Sequence, residues 1–175
     1  MKTFLKIKSA ILCSLLLTSI FGTSLMAVES VGDKISGWVS SFPWVGLIAD
    51  EVTYGPITIK DLSLGDSGRL VFAKPGEKIK GKLKYKIDVN KLTSWDVHHI
   101  ILGLKDHEAQ SCITHSFGVW DKEGKATFDL VAPMEKGLYE VRFDYQDAVL
   151  CNTAKEAWIH DQPSSNATIG VVIVE

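Results

Sequence analysis

Lys78, Lys80, Lys82, Lys84 and Lys86 alternate with Ile79, Gly81, Leu83, Tyr85 and Ile87 in one short run. A strand turns successive side chains to opposite faces, so the five ammonium groups share one side and span roughly 27 Å at about 3.4 Å per residue. Such a row can serve as an electrostatic platform for an anionic polymer, an acidic glycan or a membrane surface. It can equally be a solvated face, on an edge strand that its lysines guard against pairing. A second group carries metal-binding chemistry. Cys112-Ile-Thr-His115, with His98 and His99 upstream, combines a thiolate with imidazoles, the donors that soft and borderline ions prefer. The third group is aromatic. Trp95 and Trp120 flank turn-like segments and are expected at sheet ends, where indole can stack on a sugar, anchor a protein partner or simply pack.

Three short patterns in the chain, the cysteine–histidine motif among them, invite comparison with known sites. Cys-x2-His with an earlier His resembles part of the copper site of cupredoxins, which are exported sandwiches, and that resemblance implies copper ligation by His98 or His99 with Cys112 and His115. The chain departs from it in three ways. No Met follows His115 before Met134, 60 residues follow the motif, and in a regular strand Cys112 and His115 face opposite sides. No metal or other cofactor is therefore expected. Gly65-Asp-Ser-Gly68 resembles the nucleophile segment of trypsin-like proteases. It lacks the Gly-Pro that follows there and any upstream histidine segment, and it reads as a polar turn. Asp121-Lys-Glu-Gly124 reads as a hairpin turn, because its glycine and its twelfth position do not suit a calcium loop. His107 and His160 read as surface residues. No phosphate-cradling glycine loop or HExxH is present, so a hydrolase would need a site assembled only in the fold.

The elements that must position these residues begin after a leader. Residues 1–27 combine Lys2, Lys6 and Lys8 with the apolar run Ala10 to Phe21 and small residues behind it, the three-part pattern of a secretory signal peptide. Cleavage is expected after Ser24 or Ala27; retention as an anchor is the competing reading. The expected location is secreted or periplasmic. Removing the three leader lysines takes the 19 basic residues to 16 against 21 acidic, a net charge of about −5, which disfavours nucleic-acid binding. It also leaves Cys112 and Cys151 as the last two cysteines. In an oxidising compartment they are expected to pair, closing a loop worth about 3–4 kcal/mol; free buried thiols or a metal role are the alternatives.

Residues 28–54 read as an N-terminal amphipathic helical segment, with Val31, Ile35, Trp38, Val39 and Phe42 at three- to four-residue spacing before Pro43. It could cover a sheet end or contact a membrane or a partner. From Gly55 to Glu175 the period becomes two, in runs at Ile57–Leu64, Arg69–Phe72, Lys78–Val89, Val97–Leu104, Gln110–Ser116, Lys125–Val131, Leu138–Tyr145 and Thr168–Val174. Short strands separated by turns predict an all-β, mainly antiparallel β-sandwich. A short helix is expected after Cys151, capped by Asn152. In the run Leu138–Tyr145, Tyr139, Val141, Phe143 and Tyr145 share one face. Glu140, Arg142 and Asp144 share the other, which reads as wet.

Phe128-Asp-Leu-Val-Ala-Pro133 and Gly137-Leu-Tyr139 resemble the strand–corner–strand segment of immunoglobulin-like, Greek-key sandwiches. That resemblance, over about 20 residues, implies a tyrosine whose hydroxyl bonds back to the backbone near the corner. It says nothing of function. Taken together the residues point to an exported, non-catalytic binding or structural module. Its expected partner is an acidic glycan, another polyanion or an envelope protein. The alternatives are a small exported copper-binding protein and a hydrolase.

Overall fold

The computed structural model describes residues 49–92, 97–115 and 123–175. The leader, the helical segment over 28–48, and both Trp95 and Trp120 lie outside the described residues. Among these residues there are nine strands and one α-helix. The strands are β1 (Glu51–Tyr54), β2 (Ile57–Leu64), β3 (Leu70–Ala73), β4 (Lys78–Ile87), β5 (His98–Leu104), β6 (Ala109–His115), β7 (Glu123–Val131), β8 (Gly137–Asp147) and β9 (Thr168–Val174). Helix α1 spans Cys151–His160. No described helix is long and apolar enough to cross a membrane.

The strands form two sheets, ordered β1-β2-β4-β7 and β3-β9-β8-β5-β6. Pairing is antiparallel throughout except between β3 and β9, which run parallel. Both sheets contribute to one buried apolar cluster, with Ile59, Leu83 and Leu130 from the first and Leu102, Phe143 and Val172 from the second. Alternation in sequence translates directly into this layer. In β4 every lysine points away from the core while Ile79, Leu83, Tyr85 and Ile87 are buried. In β2 the phase slips: Ile57 and Ile59 point inward, then Leu62 and Leu64. A bulge between Lys60 and Ser63 absorbs the extra residue, with Asp61 at φ 52°.

Several expectations need correction. The sheets begin at Glu51, four residues before Gly55, because β1 pairs with β2 across a two-residue turn in which Gly55 takes φ 57°. Strand β4 ends at Ile87, since Asp88 caps a 3-10 turn over Val89–Lys91. Helix α1 starts at Cys151 with Leu150 at the N-cap position, so Asn152 lies inside the first turn and caps nothing. Gly124 belongs to β7, in register with Tyr85, and not to a turn.

The outer face of β8 is not wet. Glu140 and Arg142 are 5% and 8% exposed. After β8 the chain folds back through α1, which packs on β5, β6 and β8, and the following segment covers the rest. Arg142 Nε and Nη2 donate to Glu140 Oε2 at 2.8 and 2.7 Å, and Nη1 donates to the Pro163 carbonyl at 2.7 Å. Thr168 Oγ1 donates to the same carboxylate oxygen at 2.7 Å. Two charges become buriable once each satisfies the other's hydrogen bonds. Trp158, fully buried, docks α1 onto Ile101 and donates from Nε1 to the His107 carbonyl at 2.9 Å. At the open side of the two sheets, Ser111 of β6 takes the part of a missing strand. Its Oγ donates to the Asp129 carbonyl and accepts from the Asp129 amide, and the Gln110 side chain bonds Val131 likewise. Edge groups of β7 are thus satisfied by side chains.

Candidate functional site

Two constellations emerge from this scaffold. The first is the solvent face of the β1-β2-β4-β7 sheet. Strand β4 lies between β2 and β7, paired on both sides, so its lysines cannot be edge guards. The stripe is also wider than one strand. Lys84 stands in register with Lys60 of β2 and Lys125 of β7, a cross-strand row of three like charges. Neighbouring strands lie about 4.8 Å apart, and like charges directly opposite destabilise a sheet. Carboxylates offset part of this. Asp61 Oδ2 meets Lys84 Nζ at 2.6 Å and Glu123 lies 4.0 Å from Lys60. The hydrogen bond and the charge of Lys84 hold the Asp61 carboxyl below the usual carboxylate range. Lys78, Lys80, Lys82 and Lys86 form no ion pair within 4.0 Å among the described residues. The face therefore carries seven lysines (residue 60, the five of β4 and residue 125) against Glu51, Asp61, Glu123 and Asp129.

Two of the depressions along the stripe lie against more than one of its lysines. One, of about 1180 Å³, runs from Lys78 and Lys80 past Asp129 to His107, Gln110 and Gln162. The other, of about 430 Å³, lies between Lys82, Lys84 and Lys125. Lysine ammonium groups with threonine hydroxyl and glutamine amide neighbours can hold anions and hydroxyls.

The second constellation lies on the outer face of the other sheet, under the start of α1. Cys112 of β6 and Cys151 of α1 form a disulfide. His99 of β5 is 1% exposed and sits against it, Nδ1 being 3.3 Å from Cys112 Sγ and 3.6 Å from Cys151 Sγ. Its Nε2 donates to the Ala148 carbonyl at 2.8 Å, which makes Nδ1 the accepting nitrogen of the neutral ring. Thr114 Oγ1 lies 3.2 Å from Nδ1 and 3.3 Å from Cys151 Sγ.

The four residues considered for copper are thus divided. His99 and Cys112 meet on the helix-covered face. His98 shares a hydrogen bond with Tyr145 Oη, a residue that packs against the core, and is the register partner of His115. Burial pushes Tyr145 up to about 12, so its hydroxyl keeps its proton there. The residue missing from the sequence-based set is Cys151. Its pairing with Cys112 was legible from the cysteine count, but nothing local announces that His99 points at the pair. Gly65–Gly68 is a turn, its backbone closed by the Leu64 amide bonding the Gly68 carbonyl. His107 and His160 are exposed, and the His107 ring lies edge-on to Tyr139. Tyr139 Oη donates to the Glu135 carbonyl at 2.9 Å. No family model and no curated protein matches this chain.

Proposed function

We propose that this protein is an exported, non-catalytic binding module whose lysine face takes an anionic polymer, an acidic glycan being the best fit. The observation that carries this reading is the row Lys60–Lys84–Lys125, which crosses β2, β4 and β7 of one sheet. A solvated face needs solubility, which mixed charges provide without setting three like charges side by side. Edge protection is not at issue for a strand paired on both sides. A polyanion would convert the repulsion within the row into attraction spread along roughly 27 Å of β4. The overall charge of −2 makes the excess local to this face. The disulfide supports export, as does the leader pattern of residues 1–27. Tyr139 bonding back to Glu135, together with two facing sheets, supports an immunoglobulin-like sandwich.

The test is retention on an immobilised carboxylated or sulfated polysaccharide, with the uncharged polymer of the same backbone as control. Retention is expected at low ionic strength, with release as salt shortens the Debye length from about 30 Å at 0.01 M to about 8 Å at 0.15 M. Lys80→Glu, Lys82→Glu and Lys86→Glu together should abolish it, since all three are exposed and unpaired among the described residues. Equal retention by the triple variant, or by the uncharged control, removes the lysine face from the account.

A further inference from the structure

His99, Cys112 and Cys151 bring one nitrogen and two sulfurs within 4.8 Å of one another, all as potential ligand atoms. We propose that reduction of the Cys112–Cys151 bond turns this cluster into a site for a single thiophilic d10 cation, Zn(II) or Cu(I), held by His99 Nδ1 and the two sulfurs. This set shares His99 and Cys112 with the motif considered above, but replaces His98 and His115 by Cys151. It does not depend on the lysine face.

Three features carry it. Bonds of about 2.3 Å to sulfur and about 2.0 Å to nitrogen, at a near-tetrahedral angle, separate nitrogen and sulfur by about 3.5 Å. Nδ1 already stands 3.3 and 3.6 Å from the two sulfurs. Metal-binding imidazoles hold their orientation by donating the other N–H to a carbonyl or carboxylate, and His99 does so to Ala148. Access exists as well. Thr114 beside the cluster is exposed and both cysteines are only partly buried.

The chemistry balances as follows. A dithiol reductant supplies two electrons, its own sulfurs closing into a disulfide, while its two thiol protons pass to Cys112 and Cys151. The cation then displaces both protons to solvent as the sulfurs bind as thiolates. Cu(I) is satisfied by these three donors. Zn(II) takes a fourth from solvent, for which the Thr114 hydroxyl, 3.3 Å from Cys151 Sγ, offers a hydrogen bond. The oxidised protein, with its sulfur electrons committed to the S–S bond, does not bind.

The experiment uses the whole exported chain, reduced without oxygen and freed of reductant, then given Zn(II) or Cu(I) in separate arms. After gel filtration, elemental analysis should find one equivalent per reduced chain in at least one arm, and none on the oxidised chain. His99→Gln should weaken the binding at least tenfold and Cys151→Ser should abolish it. Where reduction or a substitution unfolds the chain, dichroism replaces the column. One equivalent of cation should restore the strand spectrum of the reduced native sequence and fail to restore that of His99→Gln. Three results overturn the proposal: no uptake or refolding in either arm, equal uptake by the oxidised chain, or affinity in His99→Gln within twofold of the native sequence.

Discussion

Gly81 faces the core from the middle of β4, and Phe128, its register partner on β7, lays its ring across it. A Cβ at this position would stand 2.1 Å from the ring Cζ and 2.4 and 2.5 Å from the two Cε atoms. Carbon atoms in contact prefer about 3.5–4.0 Å, so Gly81→Ala forces the ring aside by more than an ångström. Phe128 is only 5% exposed and has packed neighbours on its other sides. Over-packing of this kind costs about 1–3 kcal/mol, and the loss of glycine's chain entropy offsets about 0.5–1 kcal/mol of that. The expected net destabilisation is about 0.5–2 kcal/mol. Denaturant unfolding of the disulfide-intact protein should show it as a lower midpoint with unchanged m. The cause is isolated by a cycle with Phe128→Leu, which removes the ring atoms that collide. In the double variant the methyl group introduced by Gly81→Ala fills part of the space vacated, and a coupling of at least about 1 kcal/mol is expected. Additive single effects, or Gly81→Ala within about 0.5 kcal/mol of the native protein, would refute the reasoning. Gly124 under Tyr85 repeats the arrangement further along the same ladder, which marks it as a device: an aromatic ring shields a strand glycine that no side chain covers.

Two further outcomes follow from the outer face of β8. Arg142→Ala strands the buried Glu140 carboxylate and frees the Pro163 carbonyl, and should cost about 3–5 kcal/mol in the same unfolding assay; a cost below about 1 kcal/mol would mean that water reaches the pair. Asp144 has its pKa raised by burial, against the opposing effect of the bond from Gln146. A carboxyl raised in the folded state favours the protein at low pH, and the penalty grows as pH climbs through its unfolded value toward its folded one. Asp144→Asn should therefore raise the thermal midpoint at pH 7 and lose that advantage near pH 3. A gain that persists at the lower pH would assign the effect to something other than ionisation.

What could be read along the chain was whatever repeats at short range. Lysine alternating with apolar residues determined both the strand β4 and the side it buries, because a period of two is a property of the local backbone. The broken phase Ile57, Ile59, Leu62, Leu64 even encodes the bulge of β2. The disulfide was expected from the two cysteines beyond residue 27, because two thiols have one pairing available. Only the tertiary structure decided which strands adjoin and what covers each sheet. β4 became central, and so its lysines lost the role of edge guards, through pairing with β7, from which β5 and β6 separate it along the chain. Glu140 and Arg142, polar one at a time, became buried as a mutually satisfied pair when the chain returned over β8. His99 was aimed at the sulfurs by the Ala148 carbonyl, 49 residues on. Local periodicity says which face of a strand is oily. The identity of the neighbour across that face, or above the other one, depends on long-range chain return, and a linear pattern carries no record of it.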